Sequence, residues 1–253
     1  MTRWLIIGLT LLASPALASD TARALLNQGE YVEARETALS ENTVEGLNLA
    51  GEVMAAEIML MRVDDAGNHA KGAIRLAEQV LDEDPENVEA KFLRAIHMGF
   101  RTRSSSAFTI LMNGLVGKTR RAIETFEAAA PNDPRVDALY GAWHLGIVRA
   151  AGDGRFGASL EEGLAAYDRA VAAQPEDIVV MSNYAFSLIV MDEPDLLPRA
   201  KTLLTQIEAT EPKTATEAET KARMMRLNAV MDDPDALREL SVGLLNTEET
   251  AVD

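Results

Sequence analysis

Cysteine is absent from this chain of 253 residues. No disulfide framework and no lipid-modified cysteine are therefore available, and an oxidising compartment poses no folding problem. Aromatic residues amount to 5%, which gives little support to a β-sandwich or barrel, while the wealth of alanine and leucine favours helix. Histidine occurs only at 69, 97 and 144. None of the three lies three or four residues from another, so no local zinc signature is encoded. A nucleophile elbow, a P-loop and a dinucleotide fingerprint are also missing. Gly152-x-Gly154-x-x-Gly157 matches a G-x-G-x-x-G string, but it follows a helical segment rather than a strand and is not read as a nucleotide site. Positive charge is scarce: 24 Lys and Arg stand against 40 Asp and Glu, a formal net charge of −16. That balance excludes a general affinity for nucleic acid. No run beyond the first residues is long and apolar enough to span a bilayer, so no stable membrane anchor is expected.

What is present begins with an export signal. Arg3 supplies the positive start, Trp4 to Leu12 the apolar core, and Ala16-Leu17-Ala18 the small-x-small cleavage site. Residues 1–18 are read as a signal peptide cut after Ala18, which places the mature chain in the periplasm and not as a lipoprotein. The hydrophobic share of 47% is ample for a core. The charge is unevenly spread. From Lys91 to Arg155 there are ten Lys or Arg and five Asp or Glu, a net of +5. This excess is either chance clustering on solvated helix faces or a positive patch that meets an acidic partner or an anionic ligand.

One spacing recurs four times: small residue, bulky residue four on, small or aliphatic residue three on, proline five on. It reads Ala73, Ala77, Val80, Pro85; Ala122, Phe126, Ala129, Pro134; Gly163, Tyr167, Ala170, Pro175; Ala200, Leu204, Ile207, Pro212. Each proline follows a helical run, and its Asn and Asp neighbours are cap formers for a following helix. After two of these turns a new apolar stripe starts, at Val88-Phe92-Ala95-Ile96 and at Ile178-Met181-Ala185-Leu188.

Here the chain resembles a tetratricopeptide repeat protein. The spacing is similar to that family's second helix with its closing proline; Lys91 to Ala95 and Ser182 to Ala185 resemble its first-helix core, and Gly29 to Ala34 its intra-unit turn. The resemblance covers roughly residues 20–212 and implies an all-α, right-handed α-solenoid of antiparallel helix pairs over 19–245. A flexible tail is expected over 246–253. It also implies a non-catalytic scaffold or adaptor for protein–protein interaction, with no cofactor. The intervals between Pro85, Pro134, Pro175 and Pro212 are 49, 41 and 37 residues, against the family's 34. The repeats therefore carry insertions, which in such arrays often map to the binding face. A weaker resemblance is to the T components associated with TRAP-type solute transporters, and implies a small-ligand-binding repeat protein. Thr214–Met231 and Asp235–Leu245 are read as two further helices that cap the open end of the stack.

The insertions carry the candidate site. The first spans Phe100 to Thr119, ahead of a helix expected near Arg120; Phe108, Leu111, Met112, Leu115 and Val116 share one helical face, flanked by Arg101, Arg103, Lys118, Arg120 and Arg121. Core packing, a lid over an apolar cavity and interfacial membrane contact are all open to this stripe. The second is the glycine-rich loop Gly152–Ser159, with Arg155 and Phe156. Between them lies Tyr140-Gly141-Ala142-Trp143-His144, which sets Tyr140, Trp143 and His144 on one face. His144 falls where the repeat family needs a small residue, and Gly163 stands where other units use alanine. The expected exchange is that His144 packs over Gly163; the alternative is that Trp143 and His144 line a pocket under the loop.

Overall fold

The computed structural model describes residues 15–249. The Asx residues beside the turn prolines act as N-caps. The Asn87 side chain accepts from Ala90 N at 2.9 Å, Asp133 from Arg135 N at 2.9 Å and Asp177 from Val180 N at 2.9 Å. Each satisfies one of the orphan donors of a helix start. Pro134 sits one residue later than a turn position, as the first residue of the next helix, where its missing N–H costs nothing.

The helices so delimited are α1 (Pro15–Gln28), α2 (Tyr31–Glu41), α3 (Val44–Met59), α4 (Ala66–Glu83), α5 (Val88–Arg103), α6 (Ala107–Asn113), α7 (Leu115–Ala129), α8 (Pro134–Ala151), α9 (Leu160–Ala173), α10 (Ile178–Val190), α11 (Leu197–Ala209), α12 (Ala215–Asn228) and α13 (Pro234–Glu249). Short 3-10 turns occur at Arg155–Gly157 and Pro194–Leu196, and no strand occurs among the described residues. The signal segment as far as Ser14, and residues 250–253 of the expected tail, lie outside the described residues. The last helix itself continues to Glu249, beyond the Leu245 boundary read from sequence.

Consecutive helices pack as pairs, α1 with α2, α3 with α4, α5 with α7, α8 with α9 and α10 with α11. The recurrent small residues form the seams: Ala73, Ala122, Gly163 and Ala200 are all buried, which lets the paired backbones approach closely. The bulky position of the spacing is buried too, with Ala77, Phe126, Tyr167 and Leu204 essentially sealed. Burying an aliphatic or aromatic side chain this completely contributes about 1.5–3 kcal/mol. The largest apolar cluster joins α8 to α13 around Tyr167, Met181, Tyr184, Leu188 and Leu204.

The first helices of the pairs also touch in succession, α1–α3, α3–α5, α5–α8, α8–α10 and α10–α12, and α12 returns to α1. The succession is closed. Ala215 lies against Gly29, Tyr31 Oη is 3.2 Å from Thr216 Oγ1, and Arg62 donates to Glu219 at 2.6 Å with its guanidinium 4.7 Å over the Tyr31 ring. Arg223 also donates to the Met59 carbonyl. The sequence reading made α12 and α13 a cap over an open end. Instead, α12 meets the turn after α1 and the end of α3, because the superhelix brings the last units back onto the first. Gly29 has φ +86°, where a cysteine would be strained, so the pair that reads out the closure is Arg62 and Glu219, whose side chains meet at 2.6 Å. In this cysteine-free chain, Arg62→Cys with Glu219→Cys is expected to be bridged nearly completely by a short bifunctional thiol reagent. A pair left unbridged in the folded protein would contradict the closure.

Candidate interaction surface

The first insertion departs from its sequence reading at Gly114. This residue takes φ +59°, a left-handed conformation that suits glycine, and ends α6. The helix expected near Arg120 therefore starts at Leu115. Beyond the break Leu115 and Val116 are buried in the cluster of α5, α7 and α8. Before it, Phe108, Leu111 and Met112 are 73%, 72% and 67% exposed. Of the apolar side chains in α6, Ile110 leans on that cluster. Core packing, one of the three readings of the stripe, thus holds for Leu115 and Val116 and fails for Phe108 and Met112. The periodicity ran through a residue that redirects the chain.

The second insertion folds into a tight loop. Gly154 N donates to Ala158 O at 2.9 Å, and Leu160 N to Asp153 Oδ1 at 2.8 Å. Ala158 is buried, whereas Phe156 is 58% exposed and has φ +53°, unusual for a bulky side chain. The second insertion reaches α7 at Arg120, just past the first insertion. A β-carbon at Gly157 would lie 3.2 Å from Arg120 Nη1, and the Arg120 guanidinium is 5.3 Å over the Trp143 ring while pairing with Glu124 at 3.0 Å. Trp143 Nε1 in turn donates to the Val116 carbonyl at 3.3 Å. Arg101 is half-buried at the end of α5, and Arg103 lies 5.3 Å over the Phe100 ring. Arg155 is exposed in the loop.

Tyr140, Trp143 and His144 hold the scaffold under this surface. Tyr140 donates to Glu127 at 2.6 Å, and burial together with that carboxylate raises its pKa. His144 Nδ1 accepts from Ser159 N at 3.0 Å, while Nε2 is 3.4 Å from Glu162. Its pKa is lowered, chiefly by burial, so the neutral ring carries its proton on Nε2 and fixes the start of α9. The expected contact with Gly163 is present: a β-carbon there would lie 2.7 Å from Leu145 Cδ2 and 2.9 Å from His144 Cβ. Leu145 shares a space that the sequence reading assigned to His144 alone. Gly163→Ala is expected to cost about 1 kcal/mol in urea unfolding, with overpacking outweighing the better helix propensity.

Phe108 and Phe156 face solvent while Trp143 is buried, so the three do not line a common cavity. Two surface depressions lie elsewhere. One of about 530 Å³ is lined by Lys91, Arg121, Glu124 and neighbours; the other, about 420 Å³, by Asp168, Tyr184, Arg199 and neighbours. Of the residues singled out from sequence, Arg121 lines the first depression, whereas Phe108, Met112, Tyr140, Trp143, His144 and Phe156 line neither. Two polar constellations carry no sequence signature, because their members are distant in the chain. Tyr184 donates to Asp168 at 3.0 Å and accepts from Arg199 at 2.7 Å. Glu57, almost fully buried, meets His69 at 2.7 Å and Arg35 at 3.3 Å. Among the described residues no group of three His, Cys, Asp or Glu is placed to hold a metal ion.

The architecture is that of tetratricopeptide repeat proteins. TTC0263, a thermophilic TPR protein of Thermus thermophilus, superposes with a TM-score of 0.62 at 12% identity, covering 84% of this chain and 100% of that one. A tetratricopeptide repeat protein from Parabacteroides merdae ATCC 43184 gives 0.53 at 12% identity, covering 94% and 86%. No family model matches the sequence, and no curated protein matches it. The chain is a TPR-like α-solenoid, and no described helix is long and apolar enough to cross a membrane.

Proposed function

We propose that this protein is a non-catalytic, periplasmic helical-repeat scaffold that mediates protein–protein interaction. The observation that carries the reading is the closed succession of helix pairs, a stiff frame whose insertions stand outside the core. Repeat stacks of this kind present extended surfaces, with affinity from apolar anchors and selectivity from charge. The partner is a protein, acidic where it meets Arg101, Arg103, Arg120 and Arg155. The second reading, a TRAP-associated T-component-like protein that binds a small apolar or anionic ligand, draws little support from a surface on which Phe108 and Phe156 are exposed.

Export is tested by fractionation and intact mass. The expected product is periplasmic and begins at Ser19; a cytoplasmic chain that keeps Met1 would contradict it. Partner choice is tested by capture from the exported fraction on the immobilised protein, then calorimetric titration of the recovered protein. Saturable binding of defined stoichiometry is expected. A co-purifying small molecule with no protein would overturn the scaffold reading in favour of the second.

A further inference from the structure

The four most exposed large apolar side chains among the described residues are Phe108, Leu111, Met112 and Phe156. All belong to the two insertions, the second of which reaches α7 at Arg120. The first three lie at i, i+3 and i+4 and make one ridge on α6. The fourth is held outward by a left-handed backbone between Gly154 and Gly157, which also have positive φ; such conformations persist where the surroundings impose them. The ridge lines neither of the two surface depressions.

Its electrostatic setting is just as distinct. From Ala90 to Ile123 the sequence has no Asp or Glu, in a chain that has 40 of them. Seven Lys or Arg fall in the same stretch, with Arg101 and Arg103 just before α6 and Lys118, Arg120 and Arg121 just after it. Lys118 and Arg121 are exposed and make no ion pair among the described residues, whereas Arg120 is paired with Glu124. Apolar insertion combined with a basic collar is the pairing that gives a protein reversible hold on an anionic bilayer. A second copy of the chain offers acidic surface but no plain apolar socket in these two depressions, since each is rimmed by charged side chains, Glu86, Lys91, Arg121 and Glu124 in one and Asp168 and Arg199 in the other.

We propose that the α6 ridge is a membrane-contact site that inserts into the interface of an anionic phospholipid bilayer. The acidic remainder of the chain is repelled by such a surface, so contact is made with this face toward the lipid and the repeat stack away from it. The site rests on the exposed insertions and not on the scaffold reading.

The absence of cysteine supplies the test. Met112→Cys in the full chain carries a single environment-sensitive fluorophore, and Glu211→Cys, on the loop before α12, is the control. With vesicles containing phosphatidylglycerol, the label at 112 is expected to shift to the blue and brighten. The control stays water-like. The response is absent with pure phosphatidylcholine and falls about tenfold between low salt and 0.5 M salt, as screening of the basic collar requires. Phe108→Ser with Leu111→Ser abolishes the shift. A label at 112 that stays water-like while the chain sediments with vesicles would assign binding to another segment and overturn the proposal. So would a shift that the double serine chain retains, or one that appears without lipid and depends on protein concentration, the mark of self-association.

Discussion

Gly141→Ala is expected to lower stability by about 3 kcal/mol, at the upper end for an added methyl in a packed core. A β-carbon at Gly141 would lie 2.5, 2.6 and 3.0 Å from three carbons of the Tyr167 ring. That ring cannot retreat: it is almost completely buried and stacked on Tyr184, with centroids 4.6 Å apart and planes 8° from parallel. Tyr184 is held in turn by Asp168 and Arg199. Alanine would otherwise favour α8 by about 1 kcal/mol over glycine, so the intrinsic and packing effects oppose each other. Gly146 separates them. It lies on the same helix with nothing within 4 Å of its would-be β-carbon. Gly146→Ala is expected to raise stability by about 0.5–1 kcal/mol. Urea unfolding of the two chains checks the contrast, and equal shifts would mean that Tyr167 is not seated on α8.

The second large effect is a loss of stability in acid that traces to His97. This side chain is fully buried. Nε2 donates to the Gly51 carbonyl at 2.9 Å, the Phe100 ring packs near its edge, and Nδ1 is buried without a partner. Burial, assisted by the charge of nearby His69, lowers its pKa to about 4, with the Gly51 contact opposing. The unfolded chain takes up this proton near pH 6.5, the folded one only near 4. Stability is therefore full above pH 6.5 and declines as pH falls toward 4, by about 2 kcal/mol at pH 5 and about 3 kcal/mol in all. Glutamine in place of His97 keeps a donor for Gly51 but does not titrate. The difference in unfolding free energy between His97→Gln and the parent, followed from pH 7 to 5, should change by that amount. A constant difference would show that His97 is not buried as a neutral ring.

The parts of the fold legible in sequence were those fixed by neighbours along the chain. Asn87, Asp133 and Asp177 could be read as caps because each bonds an amide two or three residues on. The Gly29 turn and the four second helices followed from local spacing in the same way. His144 over Gly163 was readable because a large residue at a position for a small one implies a small partner. The same logic applied to Gly141 would have found Tyr167. Gly114 escaped because an apolar stripe that resumes after a left-handed residue looks continuous, so Phe108 and Leu115 shared one face in sequence and lie on opposite sides of the solvent boundary in the fold. The closure of α12 on α1 had no sequence signature. It arises from small rotations accumulated over successive pairs, and its contacts, Tyr31 with Thr216 and Arg62 with Glu219, join residues far apart in the chain.

Both functional readings require the α6 ridge to lie outside the core. The measurement that tests this most directly is the urea-unfolding free energy of the triple variant Phe108→Ser, Leu111→Ser, Met112→Ser. With all three side chains already in water, the predicted change is within about 0.5 kcal/mol of zero, as for other surface substitutions. Core residues of these types would cost about 2–5 kcal/mol each, so a loss of several kcal/mol would contradict the exposed surface and both functional readings built on it.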